Sequence, residues 1–239
     1  MSEMLFRKDA YLREAETRVT AHTADGGVVL EECLFYATGG GQPGDAGALR
    51  WDGKEMRVAT TIKADGDDIA VVPVEGEPLP EIGTVVVQVL DWERRHRHMR
   101  VHTALHLLSV VIPLPVTGGS IGTEKGRLDF DMPEAPGDKD ALNEALNGLI
   151  LRDLSVTESW ISDAELEANP GLVKTMSVKP PMGAGKVRLV RIGTEDEQVD
   201  LQPCGGTHVA RSTEIGRVRI GKIEKKGRQN RRVYLHLDG

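Results

Sequence analysis

Three histidines recur at every fourth position in RHRHMRVHTALHLLSVV, as His98, His102 and His106. On a helix, residues four apart stack along one face, a turn from one another. One ion cannot hold all three, because His98 and His106 lie about 12 Å apart along the axis while zinc–nitrogen bonds are about 2.0–2.1 Å. His102 and His106 form the better pair: Ala104, Leu105, Leu107 and Leu108 surround them, whereas His98 sits among arginine and methionine and its role is left open. About a hundred residues further on, CGGTH places Cys204 and His208 four positions apart. One thiolate with three imidazoles is a ligand set suited to zinc. Chance in a chain of this composition predicts about 0.2 HxxxH pairs and about 0.06 CxxxH pairs, so their co-occurrence weighs against accident. A Cys204–His208 nucleophile pair is a second reading, but it leaves the helical histidines unexplained. A buried histidine face beside an unrelated turn is the third. Gly205 and Gly206 would fold the backbone tightly and could turn N–H groups toward an anion or a developing oxyanion.

A second constellation is YATGGGQPGD, residues 36–45. Consecutive glycines cost conformational entropy when ordered, and a backbone that approaches a ligand closely would account for three of them. Thr38 and Gln42 would then supply hydroxyl and amide contacts. No GK[ST] follows, which excludes a P-loop, and no helix opens there, which excludes a dinucleotide fingerprint. Tyr36 and Trp92 are weighed as stacking surfaces for a base against the commoner role of core aromatics.

The elements that must carry these residues fall into two groups. From about Thr17 to Val74, β-branched segments alternate with Asp25-Gly26-Gly27, Asp52-Gly53 and Asp65-Gly66, the pattern of hairpins in a small barrel or sandwich. EGEPLPEIG, residues 75–83, reads as a connector, giving domains at 1–83 and 84–239. TVVVQVL would open the second as a buried strand, and Asp91 would cap a helix running to about Ile112, closed by Pro113 and Pro115. GRLDFDM (126–132) reads as a strand after a Gly-rich loop, 138–154 as an amphipathic helix and 155–161 as a strand. Ser162 would cap a short helix ending before Pro170. A loop containing KPPMGAG precedes strands at 186–192, 215–223 and 231–237. The sum is an α+β domain with an antiparallel sheet.

Composition narrows the setting. The 239 residues include only two cysteines, Cys33 and Cys204, so a disulfide framework is not expected and Cys33 reads as a small core residue. The charged start lacks an apolar h-region and no segment reaches the length of a membrane span, which implies a cytoplasmic protein without a membrane partner. The net charge of −7 argues against bulk attraction to nucleic acid, and DNA is not an expected partner. Locally, however, Arg217–Arg232 holds eight Lys or Arg against one Glu, and Arg94, Arg95, Arg97 and Arg100 cluster elsewhere. Each is either a charge-protected surface or a phosphate-facing patch.

HTALHLL (102–108), QPCGGTHV (202–209), FYATGGGQPGD (35–45), RLDF (127–130) and the tail from EIG to EKKG together resemble the AlaX family of alanyl-tRNA editing proteins, free-standing relatives of the editing domain of alanyl-tRNA synthetase. The match spans nearly the whole chain and is to the medium-length form. Ala37 departs from it, standing where the family usually has proline. The resemblance implies an N-terminal small β-barrel followed by an α+β zinc-bearing editing domain, with Zn2+ on His102, His106, Cys204 and His208. It implies a trans-editing hydrolase that cleaves the ester of mischarged tRNA-Ala, typically carrying serine, with glycine left open. Thr38 would read the serine hydroxyl, with Gln42, Gly205 and Gly206 as weaker substrate contacts. Asp129 of RLDF would orient a ligand histidine or cap a turn.

Physical logic supports such an activity, since a pocket for alanine separates small competitors by only about 1–3 kcal/mol, whereas a site that hydrogen-bonds a hydroxyl rejects the analogue lacking it by roughly 10⁴–10⁵. Zinc can lower the pKa of bound water from about 15.7 to about 7, but four protein ligands describe a closed site. Either one ligand is displaced, or the metal positions the substrate amine while a separate water attacks. A non-catalytic RNA-binding module with a structural zinc is the alternative from another class. A metal-dependent esterase or peptidase is disfavoured because HTALH lacks the glutamate of HExxH.

Overall fold

A computed structural model describes residues 2–66, 68–174 and 185–238; of the KPPMGAG loop, all but Gly185 lies outside the described residues. The chain divides into two compact units, Met1–His96 and Arg97–Gly239.

The first unit contains strands β1 (Glu3–Met4), β2 (Glu14–His22), β3 (Val28–Leu30), β4 (Glu32–Cys33), β5 (Gly47–Trp51), β6 (Lys54–Lys63), β7 (Ile69–Pro73) and β8 (Val85–Leu90). Six of them close a barrel in the order β2-β3-β7-β6-β5-β8, every pairing antiparallel. The turn residues set its hairpins: Trp51 pairs with Lys54 across Asp52 and Gly53, both at positive φ, the two-residue turn whose twist matches the strands it joins. Alternation along β6 sends Met56 and Val58 into a core with Val19, Leu30, Leu49, Ile69, Val71 and Val86. Cys33 is part of this core, and burial pushes its thiol up to about 12.

The strand expected to open the second domain is the barrel's sixth. β8 pairs with β2 on one side and β5 on the other, and without it both neighbours would present free edges. A division at residue 83 therefore cuts through the barrel. The reason TVVVQVL carries Gln88 is also structural: its buried side chain accepts the Leu34 N–H at 2.8 Å and donates to the Glu32 carbonyl at 3.0 Å.

Helix α1 (Trp92–Val111) begins in the first unit and continues into the second. Asp91 caps it, its Oδ1 accepting the Arg94 N–H at 3.1 Å. The second unit adds β9 (Val116–Ile121), β10 (Lys125–Asp131), α2 (Lys139–Leu151), β11 (Val156–Ser162), α3 (Asp163–Ala168), β12 (Lys186–Gly193), β13 (Gln198–Pro203), β14 (Val218–Lys225) and β15 (Asn230–Leu237). It forms two antiparallel sheets, ordered β14-β15-β10-β9 and β11-β12-β13. Two of these strands escape the sequence reading: β9 lies in the stretch read as a Gly-rich loop, and β13 was not anticipated. Ser162 caps α3 as expected, in a capping box with Glu165, and Asp138 caps α2 by accepting the Ala141 N–H.

What positions α1 is a missing side chain. A Cβ on Gly126 of β10 would stand 2.6 Å from Val101 Cγ1 and 2.9 Å from Leu105 Cδ1, so the glycine lets the helix lie directly on the strand. From Val101 to Ser109 every residue of α1 is buried. Such a helix carries polar side chains only where they have partners. Among the described residues no helix is long and apolar enough to cross a membrane.

Candidate metal centre

His102 and His106 project from the buried run of α1, and Cys204 and His208 come from the segment that follows β13. One ligand atom from each of the four lies within 4.8 Å of all the others. Cys204 Sγ is 3.4 Å from His102 Nε2 and 3.3 Å from His208 Nε2. A tetrahedral zinc with bonds of about 2.3 Å to sulfur and about 2.0–2.1 Å to nitrogen would set sulfur and nitrogen about 3.5 Å apart. The three imidazole rings are equally crowded, with centroids 4.2 to 5.2 Å apart. Ligand atoms whose lone pairs converge at these separations repel one another unless a proton or a cation lies between them. The donor set and its spacing fit zinc.

Further residues fix two of the rings. His106 Nδ1 lies 3.0 Å from Asp200 Oδ2, so Nδ1 carries the proton and Nε2 faces the cluster. Asp200 is in turn held by Gln202 Nε2 at 2.7 Å and by Lys174 Nζ at 2.5 Å. His208 Nδ1 is 3.2 Å from the Thr103 hydroxyl, which itself donates to the Met99 carbonyl at 2.9 Å. The turn that carries Cys204 is held by Arg188 of β12, buried to 5 %, whose Nη1 donates to the carbonyls of Cys204 and Gly206, both at 2.8 Å, while its Nε pairs with Glu158.

The electrostatics follow from this packing. Burial alone would raise the Cys204 thiol, but the imidazoles of His102 and His208 hold it well below its ordinary value, as a thiolate. Burial, with His102 beside it, pushes His208 well down, so it is neutral. Burial also opposes charge on His106, yet hydrogen bonds to Asp200 and Cys204 carry it up to about 9. Asp200, which burial would raise, is drawn down to about 2 by His106 and Lys174.

Asp129 plays neither part anticipated for it. It sits within β10 and accepts from Arg127 at 2.6 Å and from Arg232 at 2.8 and 2.9 Å. The carboxylate on a ligand histidine is Asp200 instead. Its signal was available only through β13: in QVDLQP, Asp200 and Gln202 are two apart and so share the buried face of a strand. His98 is buried to 1 %.

In the first unit, the glycine motif forms a turn of its own. Gly39 and Gln42 exchange both backbone hydrogen bonds, at 3.0 and 2.9 Å, and the two residues between them, Gly40 and Gly41, have φ of 55° and 84°. Those two glycines are therefore required by the turn itself. Thr38 is exposed; its hydroxyl donates to the Thr61 carbonyl at 3.2 Å and accepts the Gly44 N–H at 2.8 Å, leaving one lone pair. Gln42 is buried to 1 %. Tyr36 is core, edge-on to Phe6 with its hydroxyl on the Gly39 carbonyl. Trp92 already stacks on His96 and carries Arg13 over its ring. Arg95, one of the clustered arginines, is fully buried against Asp45 and cannot meet a phosphate.

These features have known counterparts. Residues 187–234 match the family described as Threonyl and Alanyl tRNA synthetase second additional domain, and residues 7–94 match tRNA synthetases class II (A). Each unit thus contains a segment similar to a domain of an aminoacyl-tRNA synthetase. The chain is 36% identical to the alanyl-tRNA editing protein AlaX-M of Methanosarcina acetivorans over 99% of both chains, and 31% identical to AlaX-M of Saccharolobus solfataricus over 98% of both. It is also 35% identical to the alanine–tRNA ligase of Pyrobaculum calidifontis, over 92% of this chain and 25% of the ligase. The chain belongs to the AlaX family of alanyl-tRNA editing proteins.

Proposed function

We propose that this protein is a trans-editing hydrolase that removes serine from mischarged tRNA-Ala, with glycine as a second candidate amino acid. The observation that carries this reading is the convergence of His102, His106, Cys204 and His208 at metal-binding separations in a chain that aligns end to end with AlaX-M. A zinc ion held by these four would supply Lewis acidity to the reaction. The protein's own groups do the rest. Asp200 and Thr103 keep the Nδ1 protons of His106 and His208 turned away from the cluster. Among the described residues no acceptor takes up the N–H of Gly205 or Gly206, and these two groups are proposed to meet the oxygen on which charge develops as the ester is attacked. Thr38, with one lone pair left, is proposed to accept the hydroxyl proton of serine, and Gln42 to support that loop.

The decisive experiment incubates the purified protein with seryl-tRNA-Ala, with and without a chelator that strips the metal. Deacylation that disappears on chelation and returns with zinc is expected. Absence of deacylation by the metal-loaded protein would leave the second reading, an RNA-binding module built round a structural zinc, which the complete four-ligand set favours. Selectivity is read separately: Thr38→Val should narrow the preference for seryl- over alanyl-tRNA-Ala, and an unchanged ratio would remove Thr38 from the role.

A further inference from the structure

Charge in this protein is sharply segregated. The sixteen residues Arg217–Arg232 carry a net +7 in a chain of net −7, which leaves −14 for the rest. They span β14, the tip at residues 226–229 and the first three residues of β15, most of the β14–β15 hairpin. Arg217, Arg219 and Lys222 are 84, 58 and 74 % exposed, and Lys225, Lys226 and Arg228 are exposed at and beside the tip. Neutralisation is incomplete by construction. Asp238 is shared by Arg217 and Arg219, Glu224 by Lys222 and Lys226, and Asp129 by Arg127 and Arg232. Each carboxylate faces two cations, and among the described residues no ion pair engages Lys225 or Arg228.

Edge protection does not explain this. β14 is the edge of its sheet, but part of its outer rim is already covered: Asn147 of α2 bonds both the N–H and the carbonyl of Val218, and Asn143 accepts the Ile220 N–H at 2.6 Å. The cations also continue onto β15 and β10, inner strands paired on both sides, where no edge exists to protect. We propose that the β14–β15 hairpin is a docking ribbon for the phosphate backbone of RNA, which rests on the editing reading for the identity of that RNA as tRNA. Eight residues of β14 extend about 26 Å at about 3.3 Å each, long enough to follow several phosphates. A membrane is the less suited partner: the tip, Lys226-Gly227-Arg228-Gln229, has no apolar side chain to insert into lipid.

The test uses the full chain and its exposed tip. Affinity for tRNA-Ala is measured from 50 to 200 mM salt for the wild type and for Lys225→Glu/Arg228→Glu. Each phosphate contact contributes about 0.7–0.9 to the slope of log affinity against log salt, so the double variant should lose about 1.5 from the slope and bind roughly tenfold or more weakly at 100 mM. Hydrolysis of a short substrate, serine esterified to adenosine, should be unchanged in the variant because that molecule has no backbone to dock. Unchanged affinity and slope would overturn the ribbon, as would charge-dependent binding to phosphatidylserine vesicles with none to RNA. A wild type that shows the slope and its loss in the variant, yet deacylates nothing, supports the ribbon and refutes the editing reading instead.

Discussion

The two units each bury a cluster of polar side chains, and the clusters are satisfied in opposite ways. In the first unit, Arg95 bonds Asp45 and the carbonyls of Ala10 and Leu34, and Asp45 also accepts the Tyr36 N–H at 2.6 Å. Donors meet acceptors inside the cluster; only Asp45 Oδ1 lacks a partner. In the second unit, three imidazoles and a thiolate converge on one another, while Asp200, backed by Gln202 and Lys174, and Thr103 hold the outer side of His106 and His208. A cluster that closes on itself is scaffold. One that is satisfied outside and convergent inside needs a proton or a cation between its lone pairs.

The contrast is broken most forcefully from the scaffold side. Asp45→Ala strands a fully buried guanidinium and should cost about 3–5 kcal/mol of stability, read by urea denaturation, with metal content per folded chain unchanged. Asp45→Ala/Arg95→Met should recover most of that loss, because removing both partners removes the unpaired charge. Cys204→Ala should do the reverse. Structural zinc contributes about 10–16 kcal/mol over four ligands, so losing one should weaken the metal by about 3 kcal/mol, on the order of 100-fold. The metal-free protein should keep its urea midpoint. If Cys204→Ala destabilised the metal-free chain as severely as Asp45→Ala, the two clusters would be the same kind of object.

The same contrast explains what the sequence disclosed. Ligand chemistry resides in residue types, so His102, His106, Cys204 and His208 were legible from spacing alone, and all four converge. The barrel strands were legible through Asp-Gly turns and alternation. What was hidden depends on pairing across long separations. β8 reads as a buried strand, but only its pairing with β2 and β5 assigns it to the barrel. Gly118 and Gly119 disguise β9 as a loop, although a Cβ on Gly119 would stand 3.2 Å from Leu128 Cδ2 and a smaller residue is what the pairing admits. Asp200 was missed and Asp129 wrongly weighed because a carboxylate's partner is set by register: Asp129 faces Arg232 across the sheet, and Asp200 reaches a helix 94 positions earlier in the chain. The glycine triplet misled in the other direction, since two of its members are consumed by their own turn.

A smaller change sharpens the outer half of the metal cluster. Asp200→Asn keeps the shape but removes the charge that orients His106, and such partners are worth about 10- to 100-fold in metal affinity. Competition against a chromophoric chelator measures it, and the thiolate-to-cobalt absorption of the cobalt-substituted protein reports whether the ligand geometry persists. An affinity within twofold of wild type would reduce Asp200 to packing.

The last prediction concerns protons. A metal binds deprotonated ligands, so every ligand protonated in the metal-free protein must release a proton on binding. Cys204 is already a thiolate and His208 already neutral near pH 7, because their values lie well below the ordinary ones. His106 stands at about 9 and holds a proton throughout that range. Its contribution therefore makes metal affinity rise about tenfold for each pH unit up to about 9 and level off above it, since beyond that point no proton is left to displace. Asp200→Asn withdraws the negative charge that helps raise His106, so the plateau should begin at lower pH in that variant, partly offsetting its loss of affinity near neutrality. A wild-type profile that is flat between pH 7 and 9 would show that His106 enters the site without a proton, and that no proton lies between the converging ligand atoms before a cation arrives.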